Sequence, residues 1–69
     1  MIISRFCKSE LDFFRNECNF VNLETEVFEG RSRGESLETI AERCNVTIDC
    51  IRKVSIKVNK KIEKVKRHF

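Results

Sequence analysis

The sequence predicts an all-α domain of four helices, the last of them long and basic. Three observations carry that expectation. There is no proline and there are only two glycines in 69 residues, so the chain has few breaks. Apolar residues recur at spacings of three and four, the period of a helix buried along one side. Charge is unevenly spread: residues 1–50 hold six Lys+Arg against ten Asp+Glu, residues 51–69 hold eight against one, and the resulting −4 and +7 sum to the net +3.

Length sets the limits on the core. A chain of this size forms one domain and buries about 60% of its unfolded surface. There is no tryptophan and no tyrosine, so six phenylalanines supply the bulky core atoms. No apolar run approaches the roughly 20 residues that a membrane span needs. The start, Met1-Ile2-Ile3-Ser4-Arg5, has no basic stretch leading into a long apolar block, so a cytoplasmic protein is expected.

Cys7, Cys18, Cys44 and Cys50 form no C-x-x-C pair, and the single histidine, His68, stands far along the chain from them. They read as small apolar or surface residues, with no metal and no cofactor expected. No paired carboxylates converge on a helix face with a histidine, and no phosphate-cradling loop appears. An enzyme is not expected.

Residues 1–8 read as an arm with apolar Ile2, Ile3 and Phe6 but no period, and residues 9–69 as one domain. Ser9 is the expected cap of a helix over 10–18, with Asp12 completing a box-like start. Leu11, Phe14 and Cys18 share its inner face, Phe13 lies beside it, and Asn19 ends it. A second helix is expected over 23–33, capped by Asn22, with Glu24 and Glu26 at its positive dipole end. Leu23, Val27 and Phe28 form its inner face, and Phe20 can pack back across its entry. Gly30 interrupts this helix at a cost of about 1 kcal/mol relative to alanine. Gly34 suits the left-handed exit.

Ser36 caps the third helix, expected over 37–44, and Thr47 caps the fourth, expected over 48–66. Between them Asn45 is the turn residue, because asparagine tolerates positive φ better than any residue except glycine. Leu37, Ile40, Cys44 and Val46, then Ile51 and Val54, form two apolar faces separated by that turn, and Val58, Ile62 and Val65 extend the second stripe, with Phe69 beyond. Ala41 is the only alanine in the chain. Two helices crossing over a short turn need a small residue at the crossing, and Ala41 stands there. Residues 36–57 therefore read as a helix-turn-helix motif.

The residues that carry this motif resemble a known group. The stretch Glu26-Val27-Phe28-Glu29-Gly30-Arg31-Ser32-Arg33-Gly34-Glu35-Ser36-Leu37-Glu38-Thr39-Ile40-Ala41 resembles the start of the DNA-binding domain in region 4 of bacterial sigma factors and in LuxR-type regulators. Val46-Thr47-Ile48-Asp49-Cys50-Ile51-Arg52-Lys53-Val54, with Lys57, Lys61 and Ile62, is similar to the recognition helix of region 4. Three departures stand out. Val21 occupies the usual cap position, so Asn22 must substitute; Gly30 replaces a better helix former; and nothing resembles the sigma segments that grip the polymerase core and melt the promoter. The Phe13-Phe14 to Phe20 segment resembles small phage or mobile-element proteins.

The resemblance implies a small bacterial or phage transcriptional regulator that binds double-stranded DNA in a sequence-specific way. The helix over 48–66 would lie in the major groove. With Ile51 and Val54 inward, its outer face shows Asp49, Arg52, Lys53, Ile56, Lys57 and Lys60, with Thr47 and Ile48 at its start. Arg52 can donate twice to guanine O6 and N7, and Lys53 less rigidly to a base or to phosphate. Asp49 can accept from a cytosine amino group or stabilise the helix start, the commoner use of a first-turn carboxylate. Ile56 can meet a thymine methyl or a protein partner. Thr47 and Ser36 can donate to phosphate while capping, and Arg31 and Arg33 add charge nearby. Lys57, Lys60, Lys61 and Lys64 suit attraction to phosphate without sequence preference.

A second reading keeps the same fold as a protein-interaction module acting on RNA polymerase or another regulator. A lone recognition helix usually needs a second copy or another contact to reach useful affinity. A homodimer and RNA polymerase therefore stand beside double-stranded DNA as expected partners. No membrane contact is expected.

Overall fold

A helix of 19 residues, α4 (Ile48–Lys66), sets the long dimension of the molecule. At 1.5 Å per residue it is about 28 Å long, against principal extents of 33 × 18 × 18 Å. The computed structural model describes residues 3–66. Ile2 of the expected arm, and His68 and Phe69, lie outside the described residues. Three shorter helices precede α4: α1 (Lys8–Glu17), α2 (Leu23–Ser32) and α3 (Leu37–Cys44), with a 3-10 turn at Ile3–Arg5. The radius of gyration, 11.4 Å, is close to the ~11 Å expected for a compact chain of this length.

α2 is the hub. It packs on α3, on α4 and on the 3-10 turn, while α1 packs on α4. Val27, Phe28, Ile40, Ile51, Val58 and Ile62 are wholly buried, with Ile3, Phe14, Cys18 and Ala41 almost so. The inner stripe of α4 is therefore the one its periodicity predicts. Phe20 stacks on Phe28 at 4.7 Å between ring centroids, which ties the α1–α2 connection onto α2.

The start of the chain differs from expectation. Ile3 is buried against the core and Phe6 lies 5.1 Å from the Phe14 ring, so residues 3–6 pack rather than hang free. α1 begins at Lys8, and Cys7 rather than Ser9 holds the cap position. The reason is Glu10: its carboxylate accepts from the Cys7 N–H at 3.1 Å, satisfying an N–H ahead of the helix. Ser9 turns its hydroxyl toward the Cys7 sulfur instead, 3.2 Å away.

Three helix junctions use residues with positive φ. Asn19 has φ 52° after α1, and Asn22 has φ 51° before α2. Asn22 holds the expected position but makes no side-chain cap; the Glu24 carboxylate accepts from the Val21 N–H instead, at 3.3 Å. α2 ends in a paired exit around Gly34 (φ 83°), with Glu35 N–H donating to Gly30 C=O and Gly34 N–H to Arg31 C=O, both at 3.0 Å. Helix α2 thus stops at Ser32, one residue short of the expected end.

Gly30 is not merely a weak point in α2. It is buried, and a Cβ built on it would lie 2.7 Å from Ile40 Cδ1 and 2.8 Å from Ile40 Cγ1. The missing side chain lets α3 press directly onto α2. Among the described residues, no helix is long and apolar enough to cross a membrane.

Candidate functional site

The corner between α3 and α4 is built from side-chain caps and backbone hydrogen bonds. Ser36 Oγ accepts from the Thr39 N–H at 3.1 Å and opens α3. At the other end Asn45 is left-handed (φ 58°, ψ 44°). Val46 N–H then donates to Ala41 C=O at 3.0 Å and Asn45 N–H to Glu42 C=O at 3.1 Å, the paired pattern that satisfies a helix exit. Two residues later Thr47 Oγ1 accepts from the Cys50 N–H at 3.2 Å and opens α4. Asn45 and both caps behave as the residue types require.

The expected inner residues of this corner sort into two groups. Ile40, Ala41 and Ile51 are buried, while Leu37, Cys44, Val46 and Val54 are half-buried and packed against them. Of the expected contact residues, Ser36, Thr47, Asp49, Arg52, Lys53, Ile56, Lys57 and Lys60 are exposed. Ile48 is not: it packs partly against the core, because it stands three residues before the buried Ile51 and so lies toward the same side of the helix.

Taking 100° per residue, the outer side of α4 divides into two strips. One holds Lys53, Lys57, Lys60 and Lys64, at spacings of four, three and four. It runs roughly 16 Å along the helix. Among the described residues these four lysines make no ion pair. The neighbouring strip holds Asp49, Arg52, Ile56 and Glu63. Here Arg52 faces Asp49 at 3.7 Å, with 64% and 82% of their side-chain surfaces exposed. Lys64 completes the lysine strip.

The other cations are largely engaged within the fold. Lys61 reaches the Glu24 carboxylate at 2.5 Å, a bond between residues 37 apart in sequence that fastens α4 to the start of α2. That contact holds the Glu24 carboxyl below the usual carboxylate value. Lys61 is therefore committed to the fold rather than to the lysine strip. Arg15 grips Glu29 through two nitrogens, at 2.5 and 2.8 Å, and Asp12 at 2.7 Å; the Glu29 carboxyl is lowered by the same contact. Arg43 pairs with Glu35 at 2.5 Å and with Glu26 at 3.5 Å, and Arg33 also reaches Glu35. Arg31 donates to the Glu35 carbonyl at 2.9 Å. Glu35 thus gathers Arg31 at its carbonyl and Arg33 and Arg43 at its carboxylate, which the position of these residues in sequence did not foretell.

The rest of the outer surface is mixed or acidic. Glu38 and Glu42 are exposed on α3, on the far side from Ile40 and Ala41. Val21 and Ile56 are the exposed large apolar residues, at 52% and 54%. Val21, Leu23 and Val54 line a shallow groove bordered by Glu24 and Lys57. All four cysteines are free; burial raises the Cys18 thiol above its usual value. No protein-family model, curated protein or solved structure matches this chain.

Proposed function

We propose that the chain binds double-stranded DNA through a helix-turn-helix formed by α3, the Asn45 turn and α4, as a small transcriptional regulator of bacterial or phage type. The observation that carries this reading is the lysine strip of α4. Four ammonium groups on one exposed helix strip gain little from each other and attract a polyanion. Lys61, Arg15, Arg33 and Arg43 pair with carboxylates; among the described residues these four lysines make no ion pair.

The corner supports the same reading. A helix about 10–12 Å across fits the major groove, about 12 Å wide, when it stands clear of the domain that carries it. Arg52 and Lys53 are exposed in the second turn of α4, where base edges come within reach. Thr47 still has its hydroxyl proton to donate to phosphate while its oxygen caps the helix. The lysine strip then tracks one phosphate backbone and supplies attraction that weakens with salt.

A second reading draws on Ile56 and Val21. Two exposed apolar side chains suit contact with RNA polymerase, another regulator or a second copy of the chain better than contact with phosphate. One experiment separates the readings: retention of the protein on mixed-sequence duplex DNA across a salt series. Binding that falls steeply with salt supports the first, and no retention even at low salt supports the second. Within the DNA reading, Arg52→Ala lowers the ratio of specific to non-specific affinity, whereas Lys60→Ala weakens both alike. Equal losses for the two would refute the assignment of Arg52 to bases.

A further inference from the structure

We propose that Asp49 is a positioning residue for Arg52, steering that guanidinium away from phosphate and toward a base edge. This rests on the DNA-binding reading above. Asp49 is the one carboxylate in the first half of α4, and it lies 3.7 Å from Arg52 on the strip beside the lysines. An exposed pair of this kind contributes little to fold stability; Asp49 also sits in the first turn of α4, where a carboxylate favours the helix start, and its contact with Arg52 adds a second role on the face that attracts a polyanion.

Next to DNA the carboxylate acts differently on two targets. A phosphate approaching Arg52 is repelled by Asp49, and a guanidinium paired with a carboxylate gains less from phosphate charge. A guanine edge is neutral and meets no such repulsion. At 3.7 Å the Arg52–Asp49 contact is too long to consume an N–H donor, so Arg52 keeps the fork that guanine O6 and N7 accept. Among the described residues Lys53, Lys57 and Lys60 make no ion pair with a carboxylate, and they remain the phosphate-binding groups. The two strips of α4 thereby divide the work between reading and anchoring.

The test uses the full chain. A duplex is selected from a random pool with the unmodified protein, and affinities for it and for a scrambled duplex are measured at one salt concentration. Asp49→Ala should bind the scrambled duplex more tightly, and its specificity ratio should fall about tenfold. Asp49→Glu should retain most of the ratio. Adding Asp49→Ala to Arg52→Ala should cost no further specificity. A thermal midpoint that drops in Asp49→Ala with an unchanged ratio means that Asp49 serves only the helix start, and overturns the proposal while leaving DNA binding intact. Failure of the unmodified protein to bind any duplex overturns both.

Discussion

Replacing Gly30 by alanine weighs two opposed effects of known size. Alanine is favoured over glycine inside a helix by about 1 kcal/mol, so an open site would gain. Gly30 is not open: its added Cβ would meet Ile40 Cδ1 and Glu35 Oε1 at 2.7 Å and Ile40 Cγ1 at 2.8 Å, where carbon contacts normally sit at about 3.5–4.0 Å. Ile40 has no exposed surface into which to swing. The Glu35 carboxylate is held by Arg43. Overpacking of this kind costs roughly 1–3 kcal/mol. Taking its middle value against the helix gain leaves a net loss of about 1 kcal/mol, and the melting temperature of so small a domain should fall by about 4–8 °C.

Thermal unfolding followed by circular dichroism reads this directly. Ile40→Val removes the Cδ1 atom and should soften the cost of Gly30→Ala in the double variant. Gly34→Ala provides the contrast, because φ there is +83° with nothing within 4 Å of an added Cβ. Its loss comes from backbone conformation alone, about 1–2 kcal/mol, and Ile40→Val should leave it unchanged. A melting temperature raised by several degrees in Gly30→Ala would mean that α2 and α3 do not approach as closely as described.

Much of this architecture is legible in the sequence because its determinants are local. Ser36, Thr47, Asn45 and Gly34 act within five residues of themselves, so cap and turn chemistry fixes the bounds of α3 and the start of α4. The inner stripe of α4 follows from spacing alone. Elsewhere the deciding partner is distant or competes with a better-known one. Glu10 captures the Cys7 N–H before Ser9 can act, which moves the start of α1. Gly30 reads as a helix defect until Ile40 is found against it. Lys61 belongs to the basic block by sequence and to Glu24 by structure, 37 residues away. The outward lysines were identifiable by period; which cations the fold would consume was not, since that depends on how α2 meets α4.

Four further outcomes follow from named residues. Ala41→Leu overpacks the buried corner of α3 and should cost roughly 1–3 kcal/mol; an unmoved thermal midpoint would contradict the close crossing. On the proposed DNA-binding reading, replacing Lys53, Lys57, Lys60 and Lys64 together by alanine should flatten the slope of log affinity for duplex DNA against log salt by about 3–4, near 0.9 per phosphate contact. Lys61→Ala should leave that slope almost unaltered and lower the melting temperature, because its partner is Glu24; the reverse pattern would exchange the two roles. Acid should destabilise the fold in a defined window. The carboxyls of Glu24, Glu29 and Glu35 are lowered below the ordinary value of 4.5 by Lys61, Arg15 and Arg43 in turn. A carboxyl whose folded value is depressed binds protons more readily in the unfolded chain, so its contribution is complete above about 4.5 and disappears as pH drops through the lower folded value. The melting temperature should hold steady from pH 7 to about 5.5 and decline below 4.5, with Glu24→Gln and Glu29→Gln each reducing the size of that decline. A fall that is already complete by pH 5.5 would place the acid sensitivity on other groups, and would separate the ion pairs from the stability assigned to them.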